Sequence, residues 1–262
     1  MTSEKATVTV VIPARYGSSR FPGKPLVVLG KKPMIQYVYE QAAACRSVGE
    51  VIVATDDERI KHAVEEFGGN VLITPGVFRT GTDRVAGVAR AREGRFFVDL
   101  QGDEIPVDSD LLTDLIEPFI ESGAEMGTLK RAITSTEDLR NPAVVKVVCD
   151  ERGRALYFSR APIPLVRDDP NQGATTGLHY VHLGVYIYTR ETLLKFAALP
   201  TGVLEGAEKL EQLRALEHGI DIQVWETKHQ SLRVDTPADA ELVSEMLRRL
   251  DISRRAHAAD RS

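Results

Sequence analysis

The chain has 262 residues, 43% hydrophobic and 27% charged, which suits one large or two small globular domains with a full core. Its net charge of −5 argues against a general nucleic-acid-binding protein, and no apolar run approaches the ~20 residues of a membrane-spanning helix. The two distant cysteines, Cys45 and Cys149, argue against a disulfide or zinc framework, and the first residues lack the apolar core of a secretion signal, so we expect a soluble cytoplasmic protein.

Apolar strands alternate with helical patterns in the first part of the chain. The predicted strands are 7–12, 51–54, 71–73 and 96–100, and the predicted helices begin at Pro33, at about 57 and after Thr80. This alternation predicts a doubly wound α/β sheet. Ligands in such sheets bind at the carboxyl ends of the strands, so the loops 13–25, 74–84 and 101–104 should gather at one site.

The second part of the chain has a different pattern. Strands are predicted at 144–148 and 155–159, flanking a hairpin turn, and at 181–188. They predict antiparallel strands added to one edge of the sheet, or a small subdomain. An acidic helix is predicted over 205–218. A last helix is predicted over 237–250, with an apolar stripe of Leu242, Val243, Met246, Leu247 and Leu250.

The loop after the first strand carries three cations, Arg15, Arg20 and Lys24, among two glycines, three prolines and two serines. Glycine lets a backbone approach a ligand closely and proline stiffens the loop, so the pattern favours a polyphosphate site. The alternative is a solvated basic loop. The glycine spacing and the proline after Lys24 do not fit a Walker motif, and no GxGxxG follows the strand. We therefore predict a phosphate loop of another kind.

Two carboxylates are candidates for a metal site. Asp103 follows the fourth predicted strand, where the alternative is a simple Gly-Asp turn, and Asp235 precedes a helix for which Thr236 can be the N-cap. Magnesium prefers one or two carboxylates together with substrate phosphates. With Thr236 as the cap, Asp235 is predicted to remain available, but the sequence leaves open whether the two carboxylates meet.

Other polar residues have weaker patterns. His179 and His182 form a His-x-x-His motif, but residues three apart on a strand face opposite sides, which favours one ligand-facing histidine over a metal pair. Glu205, Glu208 and Glu211 recur every three residues, which is typical of a solvated helix face.

A series of motifs runs in order through most of residues 8–245. They lie at 12–25, 54–56, 80–84, 101–104, 141–148, 155–161, 182–186, 209–216 and 234–237. Together they resemble the motifs of the 3-deoxy-manno-octulosonate (Kdo) cytidylyltransferase family. The resemblance implies a Rossmann-like mixed sheet of the nucleotidyltransferase type, doubly wound, with an antiparallel extension that carries the dimer region.

The resemblance also implies an activity and a domain plan. CMP would pass from CTP to the anomeric hydroxyl of Kdo, a keto-sugar acid, with Mg²⁺ and release of pyrophosphate, to supply lipopolysaccharide synthesis. It implies a homodimer in the cytoplasm with no nucleic-acid or membrane partner. Residues 1–262 would form one domain, with a nucleotide-binding half (8–125), a sugar-binding and dimerisation half (126–250) and a loose tail (251–262).

Roles for individual residues follow from the same resemblance. The implied catalytic residues are Arg15, Arg20, Lys24, Asp103 and Asp235, of which Asp103 and Asp235 would hold the metal. The implied nucleotide-binding residues are Ala14, Arg15, Gly17, Ser18, Arg20, Lys24, Gly81, Thr82, Arg84 and Gln101. The implied substrate-binding residues are Arg160, His182, Tyr186, Glu211 and Gln212.

Two segments depart from the family pattern. Residues 105–108 lack the usual proline, apolar pair and proline, and residues 203–207 lack the usual serine–proline form. Both are expected near the acceptor site. A different acidic sugar, such as an amino analogue of Kdo, or another anionic acceptor therefore remains an alternative. A non-enzymatic, regulatory relative that keeps the fold is a second alternative.

Overall fold

The computed structural model describes residues 8–17, 21–106, 108–168, 173–175 and 177–259. The predicted nucleotide-binding residues Ser18 and Arg20 lie outside these ranges. Within them, no helix has both the length and the apolar character that crossing a membrane requires.

The described residues form thirteen strands and nine α-helices. The strands are β1 (Val8–Ala14), β2 (Val28–Leu29), β3 (Lys32–Pro33), β4 (Glu50–Thr55), β5 (Val71–Ile73), β6 (Phe96–Leu100), β7 (Glu104–Pro106), β8 (Met126–Ala132), β9 (Lys146–Cys149), β10 (Ala155–Ser159), β11 (Tyr180–Thr189), β12 (Gln223–Glu226) and β13 (Ser231–Arg233). The helices are α1 (Met34–Ala44), α2 (Glu58–Glu66), α3 (Gly81–Ala91), α4 (Asp110–Ser122), α5 (Thr136–Arg140), α6 (Arg190–Ala198), α7 (Val203–Glu208), α8 (Leu213–Glu217) and α9 (Pro237–Ala259).

The main sheet joins a parallel half to an antiparallel half. Its order is β10-β9-β11-β6-β1-β4-β5, and β8 pairs with both β11 and β12. β6, β1, β4 and β5 are parallel, whereas β11 runs antiparallel to β6, β8 and β9. This arrangement confirms the predicted doubly wound sheet with antiparallel strands at one edge.

Helices cover both faces of the sheet, which explains the continuous apolar runs. Val10 and Ile12 of β1 face the cluster that holds the apolar side chains of α1 and α4, while Val11 faces the cluster built on α3 and α6. Alternate residues of a strand point to opposite faces, so a strand covered on both sides is apolar at most positions. Six of the seven residues of β1 are buried accordingly.

Three predicted helices differ from the structure. Pro33 is the N-cap of α1 rather than its first helical residue, because it also pairs with Val28 in a short hairpin. The helix predicted over 205–218 is wrong: it is two helices, α7 and α8, separated at Lys209, whose φ of 54° is left-handed. In α9 the predicted stripe is partly wrong, because Leu242 and Met246 are exposed. α9 also continues past the predicted end, to Ala259.

A small sheet connects two distant parts of the chain. β7 pairs antiparallel with β13, and Arg233 lies opposite Glu104. The Val234 N–H donates to the Asp103 carbonyl oxygen at 3.1 Å. This pairing places Asp235 beside Asp103, a contact that the sequence left open.

Candidate functional site

The carboxyl ends of the parallel strands surround a cavity of about 190 Å³, which we call the loop cavity. Its lining residues are Pro13, Ala14, Arg15, Lys24, Pro25, Met34, Phe78, Arg79, Thr80, Gly81, Arg84, Gln101, Gly102 and Asp103. All three predicted loops contribute, so their gathering at one site is confirmed. Seven predicted site residues line the cavity: Ala14, Arg15, Lys24, Gly81, Arg84, Gln101 and Asp103.

Lys24 holds the two candidate metal carboxylates together. Its Nζ donates to Asp103 Oδ2 at 2.6 Å, to the Val234 carbonyl at 2.9 Å and to Asp235 Oδ1 at 3.3 Å. Arg233 Nε donates to the other Asp235 oxygen at 2.8 Å. Asp235 is thus engaged by two cations, which corrects the expectation that it remains available. The three oxygens around Nζ are hard donors of the kind Mg²⁺ prefers, so this point fits a divalent ion.

The start of α9 fixes the direction of Asp235. Thr236 Oγ1 accepts from the Asp239 N–H at 3.2 Å, and Asp239 Oδ2 accepts from the Thr236 N–H at 2.8 Å. These reciprocal bonds form a capping box and confirm the predicted cap. Asp239 Oδ2 also accepts from the Asp235 N–H at 3.0 Å, so the cap orients the backbone of the candidate ligand.

The phosphate loop is shaped by Gly23 and Tyr16. Gly23 has a φ of 71°, a conformation that favours glycine, and its N–H donates to the Tyr16 carbonyl at 2.9 Å. A Cβ at Gly23 would lie 3.1 Å from the Tyr16 ring, so the close approach also requires glycine. The Arg59 guanidinium lies 3.3 Å from the centroid of the same ring. Gly17, another predicted residue, belongs to this loop but does not line the loop cavity.

The opposite wall contains a buried cation on an aromatic ring. Arg84 donates to Thr74 Oγ1 and to Asp56 Oδ2, both at 2.7 Å, and its guanidinium lies 4.9 Å from the centroid of the Phe78 ring. Sequence reasoning did not select Phe78 or Arg79 as lining residues. An aromatic side chain within a polar Gly- and Pro-containing loop is the signal that would have found Phe78.

A buried hydrogen-bond network lies behind the cavity wall. Asp99 on β6 accepts from Gln101 Nε2 at 2.7 Å, and its Oδ2 lies at hydrogen-bond distance, 2.8 Å, from Thr82 Oγ1. Thr82 Oγ1 is also 3.0 Å from Glu211 Oε2, and Thr80 Oγ1 donates to Glu211 Oε1 at 2.9 Å. Burial raises the pKa of Asp99 to about 7, and burial also raises the pKa of Glu211. Thr82 and Glu211 are therefore linked to the cavity, although neither lines it.

The glutamates at 205, 208 and 211 do not form the solvated face that their spacing predicts. Glu205 accepts from Arg214 Nε at 2.8 Å, and Arg214 is only 1% exposed. Glu208 accepts from Ser159 Oγ at 2.6 Å. The break at Lys209 turns the chain so that Glu205, Glu208 and Glu211 all bond inward.

Arg160 forms hydrogen bonds to the turn at Lys209. Its guanidinium donates to the carbonyl oxygens of Glu208 at 2.8 Å, Pro142 at 2.9 Å and Lys209 at 3.4 Å. Gln212, the N-cap of α8, is buried beside the turn. Arg160, Glu211 and Gln212 are thus brought together around one segment.

The two histidines are bonded separately. His182 Nε2 lies 3.1 Å from Thr128 Oγ1, and burial lowers the pKa of His182 to about 3, so its ring is neutral. His179 accepts from the Thr175 N–H at 2.9 Å and lies within hydrogen-bond distance of a carbonyl oxygen on its other side. The structure therefore does not bring them into a metal pair. The His182 ring is 5.4 Å from that of Tyr186, which keeps these two predicted substrate residues adjacent.

A second acidic group lies after β7. One ligand atom each from Asp108, Asp110 and His229 falls within 4.8 Å of the others. His229 Nδ1 is already within 3.0 Å of Asp108 Oδ2, and none of the three residues lines the loop cavity. This group is a separate hydrogen-bonded cluster at the end of segment 105–108.

The chain is similar in sequence and in structure to known cytidylyltransferases. A family model described as cytidylyltransferase matches residues 9–222. The 3-deoxy-manno-octulosonate cytidylyltransferase of Geobacter sulfurreducens is 49% identical over 248 residues, which is 92% of this chain and 99% of the relative. The enzyme of the same name from Geobacter metallireducens is 48% identical over 252 residues, covering 94% and 99%. A solved structure of CMP:2-keto-3-deoxy-manno-octonic acid synthetase complexed with CTP has a TM-score of 0.87 and 40% identity, covering 93% of this chain and 99% of that one.

Proposed function

This chain belongs to the cytidylyltransferase family, among the 3-deoxy-manno-octulosonate cytidylyltransferases, and from that premise we propose that it transfers CMP from CTP to the anomeric hydroxyl of Kdo and releases pyrophosphate. The observation that carries the proposal is the loop cavity, where a phosphate-type loop faces Asp103 and Asp235. The names of the relatives favour Kdo over its amino analogue or another anionic acceptor. The product would supply lipopolysaccharide synthesis in the cytoplasm.

The chemistry requires positioning and charge neutralisation more than covalent catalysis. Arg15, Arg20 and Lys24 would hold the triphosphate and offset the charge of the leaving pyrophosphate. Asp103 and Asp235 would hold Mg²⁺, which when bound can polarise the α-phosphate and lower the pKa of the attacking hydroxyl. Because Lys24 now bonds both carboxylates, it must exchange them for phosphate oxygens when the nucleotide and metal enter.

We propose that Gly81, Thr82, Arg84 and Gln101 contact the base and ribose from the opposite wall and from behind it. Ala14, Gly17 and Ser18 are the proposed nucleotide contacts at the end of β1 and in the phosphate loop. Arg84 supports this role because Thr74 and Asp56 already fix its guanidinium at the wall. A wall that is ordered before binding reduces the entropy lost when the ligand binds.

The acceptor would bind where α7, Lys209 and α8 meet β11. Arg160 is the proposed partner of the sugar carboxylate, since a guanidinium can hold a carboxylate through two hydrogen bonds. To do so it must release backbone carbonyls that it now holds. His182, Tyr186, Glu211 and Gln212 would contact the hydroxyl groups, and neutral His182 would not attract the carboxylate on its own.

We also propose a homodimer formed through the second half. β10 is the last strand at one edge of the main sheet, and Leu156 on it is 61% exposed. Leu165 and Leu178, in the segment that follows β10, are exposed as well. An apolar sheet edge of this kind is stabilised when a second copy covers it. Light scattering that gives the mass of a monomer at micromolar concentration would contradict the dimer.

The test is pyrophosphate release with CTP, Mg²⁺ and Kdo, alongside other nucleoside triphosphates and other sugar acids. We expect turnover with CTP and Kdo. The variant Asp103→Asn should fold normally but lose at least about a hundredfold in turnover, because a bound metal supplies several kcal/mol of transition-state stabilisation. Turnover with another acid and none with Kdo would contradict the acceptor. Undiminished turnover in Asp103→Asn would contradict the metal assignment, and no turnover with any acid would favour a regulatory protein.

A further inference from the structure

One hydroxyl group lies between two carboxyl groups in the network behind the loop cavity. Thr82 Oγ1 is 2.8 Å from Asp99 Oδ2 and 3.0 Å from Glu211 Oε2. Asp99 and Thr82 are buried, and the Glu211 side chain is 25% exposed. Each distance is that of a hydrogen bond.

If both carboxyl groups are ionised, the two contacts share a single hydrogen atom. A threonine hydroxyl donates a single hydrogen, and an ionised carboxylate only accepts. If both carboxyl groups were ionised, one of the two short contacts would join two oxygen atoms with no hydrogen between them. A buried contact of that kind costs free energy, so one carboxyl group must carry a proton.

Asp99 is the group placed to carry it. Glu211 accepts from the Thr80 hydroxyl and lies 3.5 Å from Arg214 Nη2, so its negative charge is supported. In the described part of the chain, the side-chain hydrogen-bond partners of Asp99 are both neutral, Thr82 and Gln101. A carboxyl group away from water and without a cation favours its neutral form.

The surroundings of Asp99 act in the same direction. Glu211 and Asp103 are the acidic groups that face it, and both raise its pKa; Tyr186 and Tyr188 face it from β11. Burial raises the pKa of both tyrosines well above the ordinary value, so neither supplies a charge near neutral pH. Burial is also the largest cause of the Asp99 pKa of about 7.

We propose that Asp99 is a positioning residue that acts as a carboxylic acid: its Oδ2–H donates to Thr82 Oγ1, Thr82 donates to Glu211, and its Oδ1 accepts from Gln101. One buried acid then fixes the orientation of Gln101 on the cavity wall and of Glu211 on the acceptor side. The functional part of this inference rests on the proposed roles of Gln101 and Glu211 as ligand contacts.

The proposal predicts that asparagine can replace Asp99 but leucine cannot. Asparagine has a carbonyl oxygen and an N–H donor in the places of Oδ1 and Oδ2–H, so Asp99→Asn should preserve the chain of bonds. Asp99→Leu has neither, and Thr82→Val removes the hydroxyl group that joins Asp99 to Glu211 at nearly constant side-chain volume. Raising the pH through about 7 ionises Asp99 in the wild type, so that it loses the hydrogen that it donates to Thr82. Asp99→Asn keeps its N–H donor at every pH in this range.

The experiment measures kcat and KM for CTP and Kdo against pH for these variants, with Asp114→Asn as the matched control. Asp114 accepts from Thr227 at 2.6 Å, an Asp–Thr bond outside the cavity lining. We expect Asp99→Asn to stay within about threefold of the wild type near neutral pH, and Asp99→Leu and Thr82→Val to lose roughly tenfold to a hundredfold in kcat/KM. The decline of kcat/KM above neutrality should be weaker in Asp99→Asn, and Asp114→Asn should follow the wild type.

Infrared spectroscopy supplies a readout that does not depend on turnover. The wild type should show a protonated-carboxyl band near neutral pH that fades as the pH rises and is missing in Asp99→Asn. A loss in Asp99→Asn as large as in Thr82→Val, an unchanged alkaline limb, or the absence of that band would each overturn the proposal. If Asp99→Leu does not fold, the proposal is tested by the kinetics of Thr82→Val and by the infrared band. If the wild type turns over no acceptor, the proposed function fails while the band still tests the protonation of Asp99.

Discussion

Replacing Lys24 with methionine should strengthen metal binding to the nucleotide-free protein. Lys24 Nζ is 2.6 Å from Asp103 and 3.3 Å from Asp235, at the point where a divalent ion would sit. The ammonium group therefore competes with the metal. Methionine keeps most of the apolar stem and removes the charge.

The size of the effect can be worked from the geometry. At an effective dielectric constant of about 20, one charge pair at about 3 Å interacts with about 5 kcal/mol before screening. The Lys24 side chain is 12% exposed and the two carboxylates are 29% and 22% exposed, so solvent screens part of this. Desolvation and side-chain ordering offset more of it, leaving a net competition of about 1–3 kcal/mol, or roughly fivefold to 150-fold in affinity.

Titration with Mn²⁺, followed by the paramagnetic resonance of the free ion, measures this affinity without nucleotide or turnover. Lys31→Met is the matched control, because Lys31 is exposed on the turn between β2 and β3. We expect Lys24→Met to bind Mn²⁺ more tightly than the wild type, Lys31→Met to be unchanged, and Lys24→Met to turn over CTP poorly. Equal or weaker Mn²⁺ binding by Lys24→Met would refute the competition.

Two further predictions concern buried charge and protonation. Glu205→Gln removes the closer of the two carboxylates beside Arg214, which is 1% exposed, and leaves Glu211 at 3.5 Å, so urea unfolding should show a loss of about 1.5–3 kcal/mol. A loss under about 0.5 kcal/mol would mean that Glu211 alone compensates the charge of Arg214. His182 should show the ring resonances of a neutral imidazole until the pH approaches about 3, because burial lowers its pKa. Protonation near the ordinary histidine value would show that water reaches the ring beside Thr128.

The parallel half was predictable from the sequence because its physics is local. A strand covered by helices on both faces is apolar at most positions, so β1, β4 and β6 are visible in the sequence as mainly apolar runs. The gathering of loops follows from strand direction alone. The meeting of Asp103 with Asp235 depends instead on the pairing of β7 with β13, which lie far apart in sequence and are too short to recognise.

The acceptor side was harder to predict because periodicity does not reveal a break. Glu205, Glu208 and Glu211 have helical spacing, and no glycine or proline marks the turn, since Lys209 itself takes the left-handed conformation. Asp99 was missed for a different reason. Its carboxyl group lies within an apolar run that predicts a strand, and the sequence does not indicate which side chains surround it.

The way the turn at Lys209 is held makes most positions of the segment 203–207 tolerant of substitution. α7 and α8 are short helices joined by one turn, and Arg160 donates to backbone carbonyl oxygens of that turn, which every residue type provides. Substitutions in 203–207 leave these bonds in place, although a change at Glu205 would also remove the carboxylate that pairs with Arg214. The segment is therefore a suitable place for a mutant library aimed at new acceptors, because Lys24 and its carboxylates belong to other parts of the chain.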